Sequence, residues 1–123
     1  MVRGRKAEDG VIPAKYELTE TKSRNYATRT RRNVRNSDGT LVLNLGELDG
    51  GTLQTVEYAE KRGKPCLVIQ LDNATHPDPQ MVAEWLKEQN IRFLNVAGPR
   101  ESKRPGVYRQ SFEFMERLLH IRL

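Results

Sequence analysis

Three short apolar segments alternate with three amphipathic segments, and this alternation constrains the fold more than any other feature of the chain. The apolar segments are rich in Leu, Val and Ile, have the length of buried strands, and cover residues 40–45, 65–71 and 91–97. The amphipathic segments follow them with helical spacing, over residues 51–62, 78–89 and about 105–120. Strands that alternate with helices form a parallel sheet with helices on both faces. The pattern therefore predicts an α/β protein whose parallel strands include residues 41–45, 66–71 and 92–96.

A glycine turn, Asp49-Gly50-Gly51-Thr52, joins the first predicted strand to its helix. Paired glycines let the backbone approach a ligand closely, and a helix N-terminus offers free N–H groups and the positive end of the helix dipole. Thr52 could cap the helix or offer its hydroxyl to a phosphate. The same residues are also typical of an ordinary strand-to-helix turn.

A second loop, residues 98–102, follows the third predicted strand and reads Gly-Pro-Arg-Glu-Ser. Ligands of parallel α/β sheets bind beyond the carboxyl ends of the strands. Right-handed crossovers bring this loop and the glycine turn to the same edge of the sheet. Their convergence predicts an anion site at that edge.

Positive charge is concentrated at the start of the chain. The net charge is +5 and the pI about 9.6, and the first 36 residues alone carry an excess of six positive charges. A predicted helix over residues 25–36 contains Arg29, Arg31, Arg32 and Arg35. The charge favours an anionic partner: a phosphate, a nucleotide or a nucleic acid. Only Tyr26 is available in that helix for base stacking, and no recognition motif is visible, so nucleic-acid binding is the least favoured of the three.

The length and the rare residues set further bounds. A chain of 123 residues suits a single domain, with a basic loop and helix segment over residues 1–36 and a βαβαβα core over residues 37–123. No run of about 18 apolar residues and no apolar leader is seen, so a membrane partner is not expected. The lone Cys66 fits the cytoplasm and a packing role. Because His76 and His120 lack ligand-spaced companions, no metal bound by protein side chains is expected.

Several motifs occur along the chain in a recognisable order. They are Gly-Arg-Lys-Ala-Glu-Asp-Gly (4–10), Asn-Val-Arg (33–35), Ser-Asp-Gly-Thr (37–40), Gly-Gly-Thr (50–52), Glu57 and Asn-Val-Ala-Gly-Pro-Arg-Glu-Ser (95–102). Together they resemble the putative molybdenum carrier family, which belongs with the Lonely-Guy-like Rossmannoid proteins. The resemblance implies a Rossmann-like three-layer sandwich, a homo-oligomer, and a phosphate-bearing ligand that has been proposed to be molybdenum cofactor in characterised relatives. In that cofactor the pterin dithiolene holds the metal, so the protein need only hold the pterin phosphate.

The resemblance also implies a difference from the family at the start of the chain. Members begin with a strand, a turn of the form Gly-Gly-Gln-Thr-Gly and a helix, and these would precede the segment at residues 4–10. The first βα unit is therefore expected to be missing here. A sheet without it would have unpaired edges and an uncovered apolar face, so the chain is not expected to be a stable isolated monomer.

The candidate ligand-binding residues come from both anion-binding loops and from the matched motifs. They are Gly50, Gly51, Thr52, Arg5, Lys6, Asp38, Gly98, Arg100 and Ser102. Arginine and lysine side chains would close over an anionic ligand, since a guanidinium makes bidentate contacts to phosphate. Asp38 would hold a polar edge of ribose or pterin, or would instead be a turn residue that bonds its own backbone.

Three functions remain open. The first is a carrier or sensor of a phosphorylated ligand such as molybdenum cofactor or a nucleotide. The second is a nucleotide N-glycosidase (phosphoribohydrolase) of the Lonely-Guy type, with Glu57 as the acid-base group, although Gln54 stands where those enzymes have threonine. The third is a weak nucleic-acid-binding module. The first is favoured, which makes an enzyme the less favoured alternative.

Overall fold

A computed structural model describes residues 23–72 and 78–121. Four helices and three strands lie in this part of the chain. In chain order they are α1 (Ser23–Arg35), β1 (Gly39–Asn44), α2 (Gly50–Lys61), β2 (Cys66–Gln70), α3 (Pro79–Glu88), β3 (Leu94–Ala97) and α4 (Val107–Leu119). The predicted loop at 4–10, with Arg5 and Lys6, lies outside the described residues, as does His76.

The chain divides into two compact units at a point inside α1. Residues up to Asn33 form one unit, and Val34–Leu123 form the other. The strands and helices α2 to α4 all belong to the second unit. No helix in the described part of the chain is long and apolar enough to cross a membrane.

The three strands form one parallel sheet in the order β2-β1-β3. Leu41 of β1 lies opposite Leu67 of β2 and Val96 of β3 in this register. Every residue of the central strand β1 is buried, as expected for a strand with neighbours on both sides. The predicted parallel sheet is confirmed.

Side chains of the strands alternate between two helical layers. Leu41, Leu43 and Ile69 join the main apolar core with residues of α3 and α4, including Val82 and Phe114. The opposite face of β1 carries the fully buried Thr40, Val42 and Asn44, and α2 packs on β1 and β2 through buried residues that include Val56 and Ala59. The result is the α/β three-layer arrangement expected of a Rossmann-like protein.

The third strand starts three residues later than predicted. The prediction gave residues 91–97, whereas β3 is Leu94–Ala97. Asp38 explains the difference, because its Oδ2 accepts hydrogen bonds of 2.9 Å from the backbone N–H groups of both Arg92 and Phe93. The Asp38 N–H in turn donates to the Phe93 carbonyl at 2.7 Å. The polypeptide turns around this carboxylate before it can enter the sheet.

The ends of α2 and α3 follow from local residue chemistry. Gly63, which follows the C-cap residue Arg62 of α2, adopts the left-handed conformation with φ of 71°. The Lys64 N–H then reaches back to the Ala59 carbonyl at 3.0 Å, which is the hydrogen bond of a Schellman motif. At the start of α3, the Asp78 carboxylate accepts from the Gln80 N–H at 3.0 Å and so caps the helix.

Candidate functional site

The chain changes faces of the sheet at the carboxyl ends of β1 and β3. The connection after β1 leads to α2 on one face of the sheet, and the connection after β3 leads to α4 on the other face. Adjacent strands whose connections diverge in this way leave a gap above their ends, which is the usual ligand position in open α/β sheets. The two predicted anion loops flank this gap.

The first turn of α2 is built for close backbone approach. Gly50 has φ of 56°, a conformation that favours glycine, and it follows Asp49 at the N-cap position. The first hydrogen bond within α2 runs from the Leu53 N–H to the Asp49 carbonyl, at 3.1 Å. The three N–H groups before Leu53 have no acceptor in a preceding turn and form the positive end of the helix.

Thr52 does not cap α2, because Asp49 occupies the N-cap position. The residue is only 7% exposed, and its side chain has no hydrogen-bond partner among the described residues. A buried hydroxyl without a partner is costly. The alternative role predicted for Thr52, a hydroxyl offered to a ligand, would satisfy it.

A cluster of three charged side chains joins the two loops. Lys103 Nζ lies 2.8 Å from Asp49 Oδ1, and Arg104 Nη2 lies 3.2 Å from Asp49 Oδ2. The hydrogen bond from Lys103 lowers the pKa of the Asp49 carboxyl, and the charges of Lys103 and Arg104 lower it further. The Asp49 carboxylate faces these cations and makes no cap hydrogen bond to its own helix.

Arg104 also fastens the loop between β1 and α2 to the loop after β3. Its Nε donates to the Leu45 carbonyl at 2.8 Å, and its Nη2 donates to the Glu47 carbonyl at 3.1 Å. At Gly46, where φ is 78°, a Cβ atom would lie 2.9 Å from Arg104 Nε. The glycine therefore makes room for the guanidinium.

A polar network fixes the other side of the same loop. The buried Asn44 donates through Nδ2 to the Gly46 carbonyl at 3.0 Å and to Gln70 Oε1 at 3.1 Å. The Gln70 amide donates to the Gly46 carbonyl and to Asp72, and the Gly46 N–H donates to Asp72 Oδ2 at 3.2 Å. The Gln70 hydrogen bond is the main cause of the lowered pKa of Asp72. The loop is thus held from β2 as well as from the loop after β3.

The loop after β3 begins with a glycine that the sheet requires. A Cβ atom on Gly98 would lie 2.4 Å from the Leu43 carbonyl oxygen, which is far too close. The same loop then supplies Glu101, whose carboxylate accepts from the N–H groups of Gly106 at 2.7 Å and Tyr108 at 3.0 Å. These hydrogen bonds, with Gly106 first, lower the pKa of Glu101 and tie the loop to the start of α4.

The comparisons with known proteins identify the family and agree with the fold. Residues 1–119 match the model of the circularly permutated YpsA SLOG family. The chain belongs to this family. A crystal structure from Syntrophus aciditrophicus SB, of a protein named putative molybdenum carrier protein, is 39% identical and superposes with a TM-score of 0.75. That match covers 95% of this chain and 75% of the other, while no curated protein matches. The predicted membership of the putative molybdenum carrier family is confirmed.

The structure brings six of the predicted site residues of this SLOG protein to one edge of the sheet. They are Gly50, Gly51, Thr52, Gly98, Arg100 and Ser102. The side chains of Arg100 and Ser102 are exposed on the loop that faces α2. The predicted convergence of the two loops is therefore seen in the structure.

Other candidates lie elsewhere in this SLOG protein. Asp38 precedes β1 at the amino edge of the sheet, where its backbone hydrogen bonds, from Phe93 first and then from Arg92, lower its pKa. Glu57 is exposed on α2, about 10 Å along the helix axis from Gly50. Cys66 also lies at the amino edge, and burial raises the pKa of its thiol.

The sequence did not predict the cluster formed by Asp49, Lys103 and Arg104. The sequence places Asp49 in the glycine turn and the dipeptide Lys-Arg directly after the 98–102 loop, with no local sign that they meet. The position of this Lys-Arg dipeptide next to a predicted anion loop was a signal that it could contribute to the same site. Among residues 23–72 and 78–121, no group of three His, Cys, Asp or Glu side chains could hold a metal ion.

Proposed function

We propose that this protein is a molybdenum carrier-like binding protein that holds a phosphate-bearing ligand, molybdenum cofactor or a nucleotide, at the carboxyl ends of its strands. The observation that carries the proposal is the first turn of α2, where the glycine pair Gly50-Gly51 is followed by the buried Thr52, whose hydroxyl has no hydrogen-bond partner among the described residues. Lys103 stands against this turn, since a Cβ atom on Gly50 would lie 2.6 Å from its Nζ. N–H groups, a hydroxyl and an ammonium are the donors that a phosphate requires.

The donor set suits the phosphate of molybdenum cofactor rather than its metal. The cofactor's own dithiolene supplies the sulfur ligands of molybdenum, so the protein's task is to bind and orient the pterin phosphate. Glycine N–H groups and the Thr52 hydroxyl would bind that phosphate, and Arg100 and Ser102 would approach it from the opposite loop. The family membership and the named relative support this choice of ligand class.

Binding is favoured over catalysis because Gln54 stands where Lonely-Guy enzymes have threonine. The exposed position of Glu57 on α2 is also that of an ordinary helix-surface residue. Incubation with AMP and measurement of free adenine would test the enzymatic alternative, and no release above the uncatalysed rate is expected.

The substitution Gly51→Val tests the site. A β-branched side chain in the first turn would block close backbone approach, so AMP affinity measured by calorimetric titration should fall at least about tenfold. The matched control is Gln54→Val, which adds the same side chain at an exposed position of the same helix. Equal AMP affinity of folded Gly51→Val and Gln54→Val proteins would refute the site.

A homo-oligomer is part of the same proposal. Among the described residues, β2 and β3 each pair with β1 alone, so each leaves one edge for another chain. Tyr108, Phe112 and Leu119 also form an exposed apolar row on α4. Native mass spectrometry of protein purified from cells reports ligand and subunit number together. The mass of an oligomer carrying a phosphate-bearing ligand is expected, and a bare monomer would contradict both parts.

A further inference from the structure

The two cations that face Asp49 are held very differently. The Arg104 guanidinium donates to three backbone carbonyls as well as to Asp49, and its side chain is only 22% exposed. The Lys103 ammonium has Asp49 as its one partner among the described residues, and its side chain is 43% exposed. An exposed ion pair of this kind contributes little to stability. Lys103 can therefore change partner easily, whereas Arg104 is a fixed part of the loop.

The position of Lys103 would allow it to bind a phosphate at the start of α2 after it leaves Asp49. Its Nζ lies against Gly50, at the end of α2 where the free N–H groups are. The Asp49 carboxylate, at the N-cap of the same helix, holds that ammonium at 2.8 Å. A phosphate bound at this turn and the Asp49 carboxylate would compete for one ammonium. The carboxylate would also repel the phosphate.

We infer that Lys103 is a ligand-binding residue that pairs with Asp49 when no ligand is bound. When a phosphate binds, it replaces the Asp49 carboxylate as the partner of the Lys103 ammonium. Arg104 keeps its hydrogen bonds to the loop and to Asp49 throughout, so the displaced carboxylate retains a cationic partner. This inference rests on the proposed function and deepens it, because it identifies a cation of the phosphate site and an internal competitor for it. Affinity is then set by the difference between two ion pairs.

The test is a titration of the folded protein with inorganic phosphate, followed through the backbone amide resonances of residues 50–52. Asp49→Asn should bind about fivefold more tightly, since it removes the competitor while asparagine remains a good N-cap residue. Lys103→Gln should bind about tenfold more weakly, because a charge-assisted hydrogen bond is lost. Neither change should alter the urea midpoint appreciably.

Two matched controls separate this exchange from a general effect of charge. Glu47→Gln removes a negative charge from the same loop, but only the Glu47 backbone carbonyl contacts Arg104, so affinity should change less than about twofold. Lys87→Gln removes an exposed lysine near the end of α3 and should behave likewise.

The outcomes distinguish this inference from the function on which it rests. If the wild-type protein binds phosphate at these amides and neither Asp49→Asn nor Lys103→Gln differs from its control, the exchange is refuted and the phosphate site stands. If neither the wild-type protein nor Asp49→Asn responds to phosphate, the site and the exchange both fail. A response by Asp49→Asn alone would support the exchange, since the competitor would then keep the wild-type site closed to free phosphate.

Discussion

Phe114 should be the side chain of α4 on which the stability of the second unit depends most. It is 1% exposed and is among the largest fully buried side chains, within the core shared by β1, β2, α3 and α4. Replacing a buried Phe by Ala removes its transfer free energy and leaves a cavity, which together cost about 3–5 kcal/mol. The Arg117 guanidinium, 5.9 Å from the ring centroid, would also lose its aromatic partner. A typical domain is stable by only about 5–15 kcal/mol, so Phe114→Ala removes a large part of the total.

Urea unfolding followed by circular dichroism measures this loss. With a urea dependence of about 1–3 kcal/mol per molar, typical of small proteins, the midpoint should fall by about 2 M. The matched control is Phe112→Ala, two residues earlier in α4, where the ring is 68% exposed. A surface change of this kind should alter the free energy of unfolding by less than about 0.5 kcal/mol.

The comparison of the two variants tests the packing of α4 directly. Similar midpoint shifts in Phe112→Ala and Phe114→Ala would refute the assignment of which face of α4 is buried. A shift below about 0.3 M in Phe114→Ala would show that the core relaxes into the space, contrary to the tight packing argued here. Because the Lys103 and Arg104 loop leads directly into α4, Phe114→Ala should also weaken phosphate binding as the helix loosens.

Two further predictions concern the loop between β3 and α4. Gly98→Ala should destabilise the protein by about 1–3 kcal/mol in urea unfolding, because its Cβ would overlap the Leu43 carbonyl of the central strand, and a wild-type midpoint would show that the backbone shifts freely there. Glu101 has a lowered pKa in the folded protein, so the unfolded chain takes up its proton more readily. Its stabilising contribution is therefore present above the unfolded value of about 4.3 and is lost as the pH falls through the lower folded value. Glu101→Gln should lessen the fall in stability between about pH 5 and pH 3, and an unchanged pH profile would exclude Glu101 as a source of it.

The sheet could be predicted from sequence because its signals are local. Strand β1 carries apolar residues on both faces and needs both faces covered, which only a central parallel strand provides. The stops of α2 and the cap of α3 depend on Gly63 and Asp78, whose chemistry acts within a few residues. Such features do not depend on knowing which segments meet in space.

The late start of β3 could not be predicted, because its cause is 54 residues away in the chain. Asp38 accepts from the Arg92 N–H across that separation and delays entry into the sheet. A β-strand pattern over residues 91–93 cannot reveal a carboxylate from another segment. The same contact gives Asp38 a structural role at the amino edge of the sheet. The ligand role predicted for Asp38 would require it to lie at the opposite, carboxyl edge.

The ion-pair cluster escaped prediction for a similar reason. Asp49 and Arg104 are joined across 55 residues, and a lone acidic residue before two glycines looks like an ordinary helix cap. In the structure its carboxylate turns away from its own helix toward Lys103 and Arg104. A cap prediction from local sequence cannot include competition from a distant cation.

The two edges of the sheet differ in how many of their polar groups are already hydrogen-bonded. At the amino edge, the carboxylate of Asp38 accepts from two N–H groups, and Lys64 Nζ donates to the Arg35 and Ser37 carbonyls at 2.5 and 2.6 Å. These two side chains use their hydrogen bonds to join backbone segments, so they offer few free donors or acceptors to a ligand. At the carboxyl edge, the first turn of α2 keeps its N–H groups, and Thr52 keeps a buried hydroxyl that nothing in the described chain satisfies. A bound phosphate would accept hydrogen bonds from these groups and from the half-exposed Lys103, which supports the proposed position of the ligand at this edge.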